Sequence, residues 1–317
     1  MQIKLLIILS VIIAFISGMI IVLERDVYNF ENEINKMKTQ DSFPVKIKST
    51  IEHKELKQNG YSIHYYVSGN ASKELIVFLH PAFADHRCFD KQVDFFSKNY
   101  RIITIDMLGH GLSEVNKAKE KIDFSIEHID EIIKLEGRGK AHFVGVSMGT
   151  LIAQYYALKY PQKVLSMTLL GGYDINADNT DIAKAQSSEK IKWIFKALVS
   201  MNSFRKYVSS VSAYHPEEQA RFYEMAGHFT RKSFIAMSGL GDVIKQRDHV
   251  KHEYPLLILC GDKDMELAQQ VSRKWHDSDP HSRYFLIKNA GHCANMDNPD
   301  EFNKIVMEFI KQKNIKK

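Results

Sequence analysis

Ser147 stands in Gly145-Val146-Ser147-Met148-Gly149, with an apolar run before it and a helical pattern directly after it. A serine hydroxyl becomes a strong nucleophile only beside a general base, and that base needs a carboxylate to orient it. Both partners follow downstream. Asp264 lies just past an apolar run in LLILCGDKDMEL, and His292 lies just past the next run in FLIKNAGHCANMDNP. Serine, then acid, then histidine is the order expected of a nucleophile elbow on an open parallel sheet. Asp262 in the same loop is another acid that could serve. The chain has 14 histidines, but His292 alone sits past a strand end and downstream of a strand-end acid.

Negative charge developing on a carbonyl oxygen must meet N–H donors. Met148 opens the helix after the elbow, so its backbone N–H is one expected donor, aided by the helix dipole. The second donor is expected from FLHPAFADHRCF, after an earlier apolar run. Pro81 has no N–H, which points to Ala82, with Phe83 beside it as the neighbouring choice. His80 reads as a histidine whose ring holds this loop by hydrogen bonds, with a catalytic base as the alternative reading.

These residues need strands that end at one edge. Six short apolar runs are spaced along the chain: 74–80, 100–107, 141–147, 164–172, 255–262 and 283–292. Runs of this length, with little polar alternation, suit strands buried on both faces. Helical patterns lie between them, as over 124–136, where Ile126, Ile129 and Ile133 share a stripe. The alternation predicts an α/β chain with a mostly parallel, doubly wound sheet. Asn59-Gly60 between two strand-like runs predicts a hairpin ahead of it. Residues 173–252 show helical patterning without a buried strand, and are expected to form a helical cap. Trp193, Phe195, Phe204, Phe222 and Phe229 in that segment are expected to form its core and line an apolar acyl pocket.

Composition narrows the choice of function. The chain has 317 residues, 44% of them hydrophobic and 26% charged, with a net charge of +5. Its basic residues are scattered among acids, without the basic, aromatic-interleaved patches of nucleic-acid binders. Cys88, Cys260 and Cys293 have neither paired nor CxxC spacing, and no His/Cys cluster suggests a metal site. No metal and no organic cofactor are expected.

The N-terminus has a different character. Leu5–Leu23 is a run of 19 residues without a charge, enough for a helix of about 30 Å, the thickness of a bilayer core. It is expected to be a single-pass anchor over residues 1–23, with a secretory signal peptide as the alternative reading. Basic residues flank both ends, so the side of the membrane stays open. Residues 24–50, with Val27, Phe30, Ile34 and Met37 at helical spacing, read as a stalk, and 51–317 as the globular domain.

From about Lys54 to its C-terminus the chain resembles the α/β-hydrolase fold superfamily. It is most similar to the capped branch that holds esterases, carbon–carbon bond hydrolases and cofactor-free haloperoxidases. Ser147 matches the nucleophile, Asp264 the acid of a Gly-x-x-Asp version (Gly261-Asp262-Lys263-Asp264), and His292 the base after Ala290-Gly291. Asp106-Met107-Leu108-Gly109-His110-Gly111-Leu112-Ser113 matches the superfamily's Asp-x-x-Gly-x-Gly-x-Ser turn, to which a structural role is assigned. The usual His-Gly of the oxyanion loop is His80-Pro81 here, and because some relatives carry the acid after the preceding strand, the resemblance makes Asp174 a further possible acid. A serine at the elbow argues against the aspartate chemistry of dehalogenases and epoxide hydrolases. The resemblance implies a carboxylesterase-like serine hydrolase of a small or medium acyl substrate. Amide or carbon–carbon cleavage by the same triad, and a non-catalytic binding protein on the same fold, are the alternatives.

Overall fold

The structure, a computed structural model, describes residues 2–38, 47–58, 60–113, 115, 119–247 and 252–315. In chain order its elements are α1 (Gln2–Lys38), β1 (Ile51–Gln58), β2 (Tyr61–Ser68), β3 (Leu75–Leu79), α2 (Asp90–Phe96), β4 (Arg101–Ile105), α3 (Ser125–Leu135), β5 (Ala141–Val146), α4 (Met148–Lys159) and β6 (Val164–Leu170). There follow α5 (Thr180–Val199), α6 (Met201–Ser212), α7 (Pro216–Ala226), α8 (Ser233–Met237), α9 (Leu240–Val243), β7 (Leu256–Gly261), α10 (Glu266–Ser278), β8 (Arg283–Ile287), α11 (Ala294–Asp297) and α12 (Pro299–Ile315).

The chain divides into two compact units. One joins residues 1–44 to 180–208, and the other joins 45–179 to 209–317. The second unit holds one eight-stranded sheet in the order β1-β2-β4-β3-β5-β6-β7-β8. Pairing is parallel from β4 through β8 and antiparallel at β1-β2 and β2-β4. The β1-β2 hairpin turns where it was expected, with Gly60 at φ +84°, although Asn59 itself lies outside the described residues.

Central strands β3, β5 and β7 are buried along their whole length, as continuous apolar runs under helices on both faces should be. The edge strand β8 differs: burial alternates along it, and Phe285 is exposed. An edge strand with one covered face needs only every second side chain to be apolar. Between β6 and β7 the described residues contain helices α5 to α9 and no strand.

Glycines set the closest approach in the sheet. A Cβ on Gly149, in the first turn of α4, would stand 2.0 Å from the Leu79 carbonyl oxygen at the end of β3. One on Gly145, in β5, would stand 2.6 Å from the Gly149 backbone. Strand, turn and helix therefore meet backbone to backbone, which no side-chain-bearing residue permits.

In the other unit, α1 runs unbroken for 37 residues. Val27 and Ile34 are buried, and Lys206 of α6 pairs with Asp26 and lies 5.4 Å from the Phe30 ring centroid. The expected membrane-spanning segment, Leu5–Leu23, lies within α1, where side chains are described only from Ile16 onward. Among the described residues no helix is long and apolar enough to cross a membrane. A transmembrane helix is thus unsupported by the described residues.

Gly149→Ala should lower stability by about 3 kcal/mol, because a core backbone contact has to open. Gly139→Ala, with nothing within 4 Å of the added carbon, should change little. Thermal unfolding of the two variants beside the wild type checks this.

Candidate active site

Ser147 occupies the turn between β5 and α4 with φ +50° and ψ −114°. A non-glycine residue is held there only when its surroundings over-determine it. The Ser147 N–H donates to the Leu170 carbonyl of β6 at 2.8 Å, and its own carbonyl accepts from the Thr150 N–H and hydroxyl at 2.9 and 2.6 Å. Gly149 packing on β3 closes the other side. The hydroxyl is thereby presented at the carboxyl edge of the sheet, at the N-terminus of α4.

His292 reaches the same edge from the loop after β8. Its Nδ1 faces both oxygens of Asp264, at 3.1 and 2.9 Å. Asp264 follows β7, its side chain is buried, and it accepts also from the Met265 N–H at 2.7 Å and from the Cys260 thiol at 3.6 Å. Burial alone would lower the pKa of His292, but the charge and hydrogen bond of Asp264 outweigh it and hold the imidazole above 6.5. With Nδ1 engaged by Asp264, Nε2 is the nitrogen left for a substrate-side proton.

Gly171 links the two halves. It follows Leu170, to which Ser147 is bonded, has φ +65°, and a Cβ there would stand 2.9 Å from His292 Cε1. The imidazole thus packs against the backbone of the strand end beside Ser147. Asp264 and His292, past the ends of β7 and β8, are in hydrogen-bond contact, and Ser147 stands past the end of β5, on the other side of β6 and its Gly171, without a hydrogen bond to His292. Such contacts often tighten only when substrate is present.

Of the other acids, Asp262 accepts the Ala290 N–H at 3.3 Å, which ties the loop after β7 to the loop that carries His292. Asp174 caps the Asn176 N–H and lies on a cavity of about 1330 Å³ lined also by Gln154, His252, Tyr254 and Trp275. None of Ser147, Asp264 and His292 lines that cavity.

On the opposite rim, His80 is completely buried. Its Nε2 accepts the Met107 N–H at 3.0 Å, so the proton sits on Nδ1, which donates to the Pro81 carbonyl at 2.8 Å. Burial pushes its pKa down and keeps it neutral. The ring staples the loop of Pro81 and Ala82 to the end of β4. Phe83, next in the chain, has φ +71°, and its ring meets Phe229 edge-on at 4.9 Å and Phe234 at 6.4 Å between centroids. For a bulky residue this backbone is an outlier, held here by aromatic packing. Because Gly149 also brings the start of α4 to within a Cβ's reach of the His80 carbonyl, Ala82 and Met148 belong to adjoining segments.

Asp106 organises the turn that follows β4. Its carboxylate accepts from the His86 N–H and Nδ1 at 2.9 and 2.8 Å and from the Leu112 N–H at 3.0 Å. Burial would raise its pKa, but His86 and these backbone donors hold it down at about 2. A Cβ on Gly111 would fall 2.2 Å from Asp106 Oδ2. Asp85, His86 and Asp106 lie close enough to suggest a cation site, but Arg87 engages Asp85 and His86 engages Asp106. Their lone pairs already have donors.

The chain matches the family described as α/β hydrolase fold over residues 74–299. It belongs to the α/β-hydrolase fold family. Among relatives, it is 24% identical over 255 residues to (E)-2-((N-methylformamido)methylene)succinate hydrolase of Acinetobacter baylyi, covering 80% of this chain and 95% of that protein. It is 25% identical over 272 residues to monoacylglycerol lipase ABHD6 of Bos taurus, covering 80% and 81%. The solved structure of a membrane phospholipase A, described as a bacterial virulence factor, superposes with a TM-score of 0.65 at 17% identity and covers 99% of both chains. These two relatives are named as hydrolases, and the bonds they cleave are not the same.

Sequence reasoning passed over Asp297. In this α/β hydrolase its carboxylate accepts three backbone N–H groups: Gly291 at 2.9 Å, Tyr214 at 3.0 Å and His215 at 3.0 Å. The Cys293 N–H donates to the Ser212 carbonyl at 2.7 Å. The residues on both sides of His292 are therefore tied to the return of the chain from α6. No motif marks Asp297, because its partners are backbone groups, two of them on Tyr214 and His215, 83 and 82 residues away in the chain.

The His292 imidazole should titrate above 6.5 in the wild type and below it in Asp264→Asn, where burial acts without a compensating charge. An NMR titration of the His292 ring in both proteins checks the sign.

Proposed function

We propose that the protein is a serine hydrolase of carboxylic esters with a small or medium acyl group. The observation that carries this reading is the hydrogen-bonded Asp264–His292 pair at the strand end beside Ser147, whose backbone is held at φ +50° at the start of α4. In the proposed reaction Ser147 Oγ attacks the ester carbonyl carbon, and His292 Nε2 takes the hydroxyl proton. Asp264 keeps the imidazole in the Nδ1–H tautomer and stabilises the imidazolium. The N–H groups of Met148 and Ala82 receive the oxyanion. Collapse of the tetrahedral species breaks the C–O bond, and the alcohol leaves with the proton from His292. Water then attacks the acyl-enzyme, with His292 again as base, and the acid is released from Ser147. All groups come from the chain's own residues.

The names of two relatives support an ester or amide substrate: one is a monoacylglycerol lipase, and the other hydrolyses an N-methylformamido compound. Phe83, Phe229 and Phe234 form an aromatic cluster next to Ala82, which suits an apolar acyl chain. Amide and carbon–carbon cleavage would use the same three residues with other pocket contacts. We also propose that the N-terminal helix attaches the protein to a membrane. The uncharged run Leu5–Leu23 supports this, as does similarity over 99% of the chain to a structure named as a membrane phospholipase.

A fluorophosphonate probe should label the wild type and not Ser147→Ala. Hydrolysis of p-nitrophenyl esters should fall by about 10⁴-fold or more in Ser147→Ala and His292→Ala. Labelling that persists in Ser147→Ala would refute the assignment. Because His292 must be neutral to act as base, kcat/KM should fall as pH drops through its raised pKa. In Asp264→Asn that limb should move to lower pH, with kcat reduced about 10⁴-fold. Membrane attachment is checked by fractionating cells expressing the full chain and a chain starting after Leu23: the first should sediment with membranes and the second should not.

A further inference from the structure

Helix α5 exposes an apolar row of the kind that a surface helix ordinarily buries. Ile191, Ile194, Phe195 and Leu198 follow i, i+3, i+4, i+7 spacing and so share one stripe. They are 68%, 52%, 49% and 69% exposed. The inward face holds the half-buried Trp193 and the buried Ala197, together with polar groups: Glu189 accepts from the Tyr207 hydroxyl of α6, and Lys196 lies 5.2 Å from the Tyr207 ring centroid. Four large apolar side chains in one exposed row differ from the scattered single ones of ordinary surfaces.

The charges beside the stripe say what would cover it. Lys190 and Lys192 are exposed, Lys192 with Glu189 2.6 Å from its ammonium, and at 3.6 residues per turn they fall on its two sides. The helix carries four lysines (Lys184, Lys190, Lys192, Lys196) against Asp181 and Glu189, a net +2. An apolar stripe bordered by lysines is the pattern of a helix lying in a lipid interface. The lysine stems cover the edge of the stripe, and their ammonium groups reach the headgroups. A second apolar exposure lies in the same compact unit, since Ile21 and Val22 of α1 are 66% and 67% exposed. A protein partner would not need both that exposure and the lysine borders.

We propose that α5 is an interfacial helix that docks its unit on an anionic phospholipid surface. Ile191, Ile194, Phe195 and Leu198 enter the acyl boundary, and Lys190 and Lys192 meet the headgroup phosphates. The helix lies in the plane of the surface and does not cross it. This holds independently of the reaction assigned to Ser147, and its test reads no hydrolysis.

The test uses the full chain with Leu198→Cys carrying an environment-sensitive nitrobenzoxadiazole label. Cys88, Cys260 and Cys293 are buried and should stay unlabelled. The protein is reconstituted with phosphatidylcholine vesicles, with or without phosphatidylglycerol, and a label at Lys134→Cys on α3 serves as control. The expected result is a blue-shifted emission at position 198 that doxyl-lipids quench, with the control unaffected. The ratio of inserted to water-exposed label should be about thirtyfold higher on the anionic vesicles. Lys190→Gln/Lys192→Gln should remove that excess. A water-exposed label at 198 in vesicle-bound protein would overturn the proposal. So would a blue shift that appears without lipid and grows with protein concentration, which would assign the stripe to a second copy of the chain.

Discussion

The site depends on one steric constraint, the absence of side chains where β3, β5 and α4 meet. With Gly149 against the Leu79 carbonyl and Gly145 against the Gly149 backbone, the turn can be sharp enough to put Ser147 at φ +50°. A strained serine is costly on its own account. It persists because the Leu170 carbonyl, the Thr150 hydroxyl and the packing on β3 leave it nowhere else to go. The same closeness brings the loop of Pro81 and Ala82 next to the start of α4.

Electrostatics then separates the roles of the polar groups at this edge. His80 and His292 are both enclosed, yet their charge states are pushed in opposite directions. His80 has only neutral partners in direct contact, and burial keeps it uncharged. His292 has a carboxylate at 2.9 Å, which offsets the cost of burial and raises its pKa. Likewise Asp106 is held ionised by His86 and backbone donors, so it braces a loop. His110, on that loop, is pushed down to about 3 by burial and the neighbouring His80. One set of residue types thus yields a stapling histidine, a histidine paired with a carboxylate and a structural acid according to what each ring or carboxylate faces.

The helices after β6 do two kinds of work. Within the sheet-containing unit, Phe229 and Phe234 hold Phe83 in its unusual backbone conformation, while the segment after α6 ties down the residues on both sides of His292 through Asp297 and Ser212. In the other unit, α5 presents an apolar row outward. Helical periodicity is the same in both cases.

The sequence by itself determined the strand runs, their alternation with helices and the order of Ser147, Asp264 and His292. These are properties of local apolar patterning and of loops that follow strands, which a linear chain displays. For His80 it left a base and a loop-holding ring both open, and the hydrogen bonds of both ring nitrogens to backbone show the second. Tertiary structure decided the rest. Asp264 faces His292, while Asp262 braces the adjacent loop and Asp174 lies on a separate cavity, a choice among three carboxylates that only strand order and side-chain direction could make. Likewise, Phe195 was expected to line an acyl pocket and is half-exposed instead, because helical spacing tells which residues share a face and not what that face meets. Asp297 left no trace in the sequence, since its partners are backbone N–H groups common to almost every residue, brought to it only by the fold.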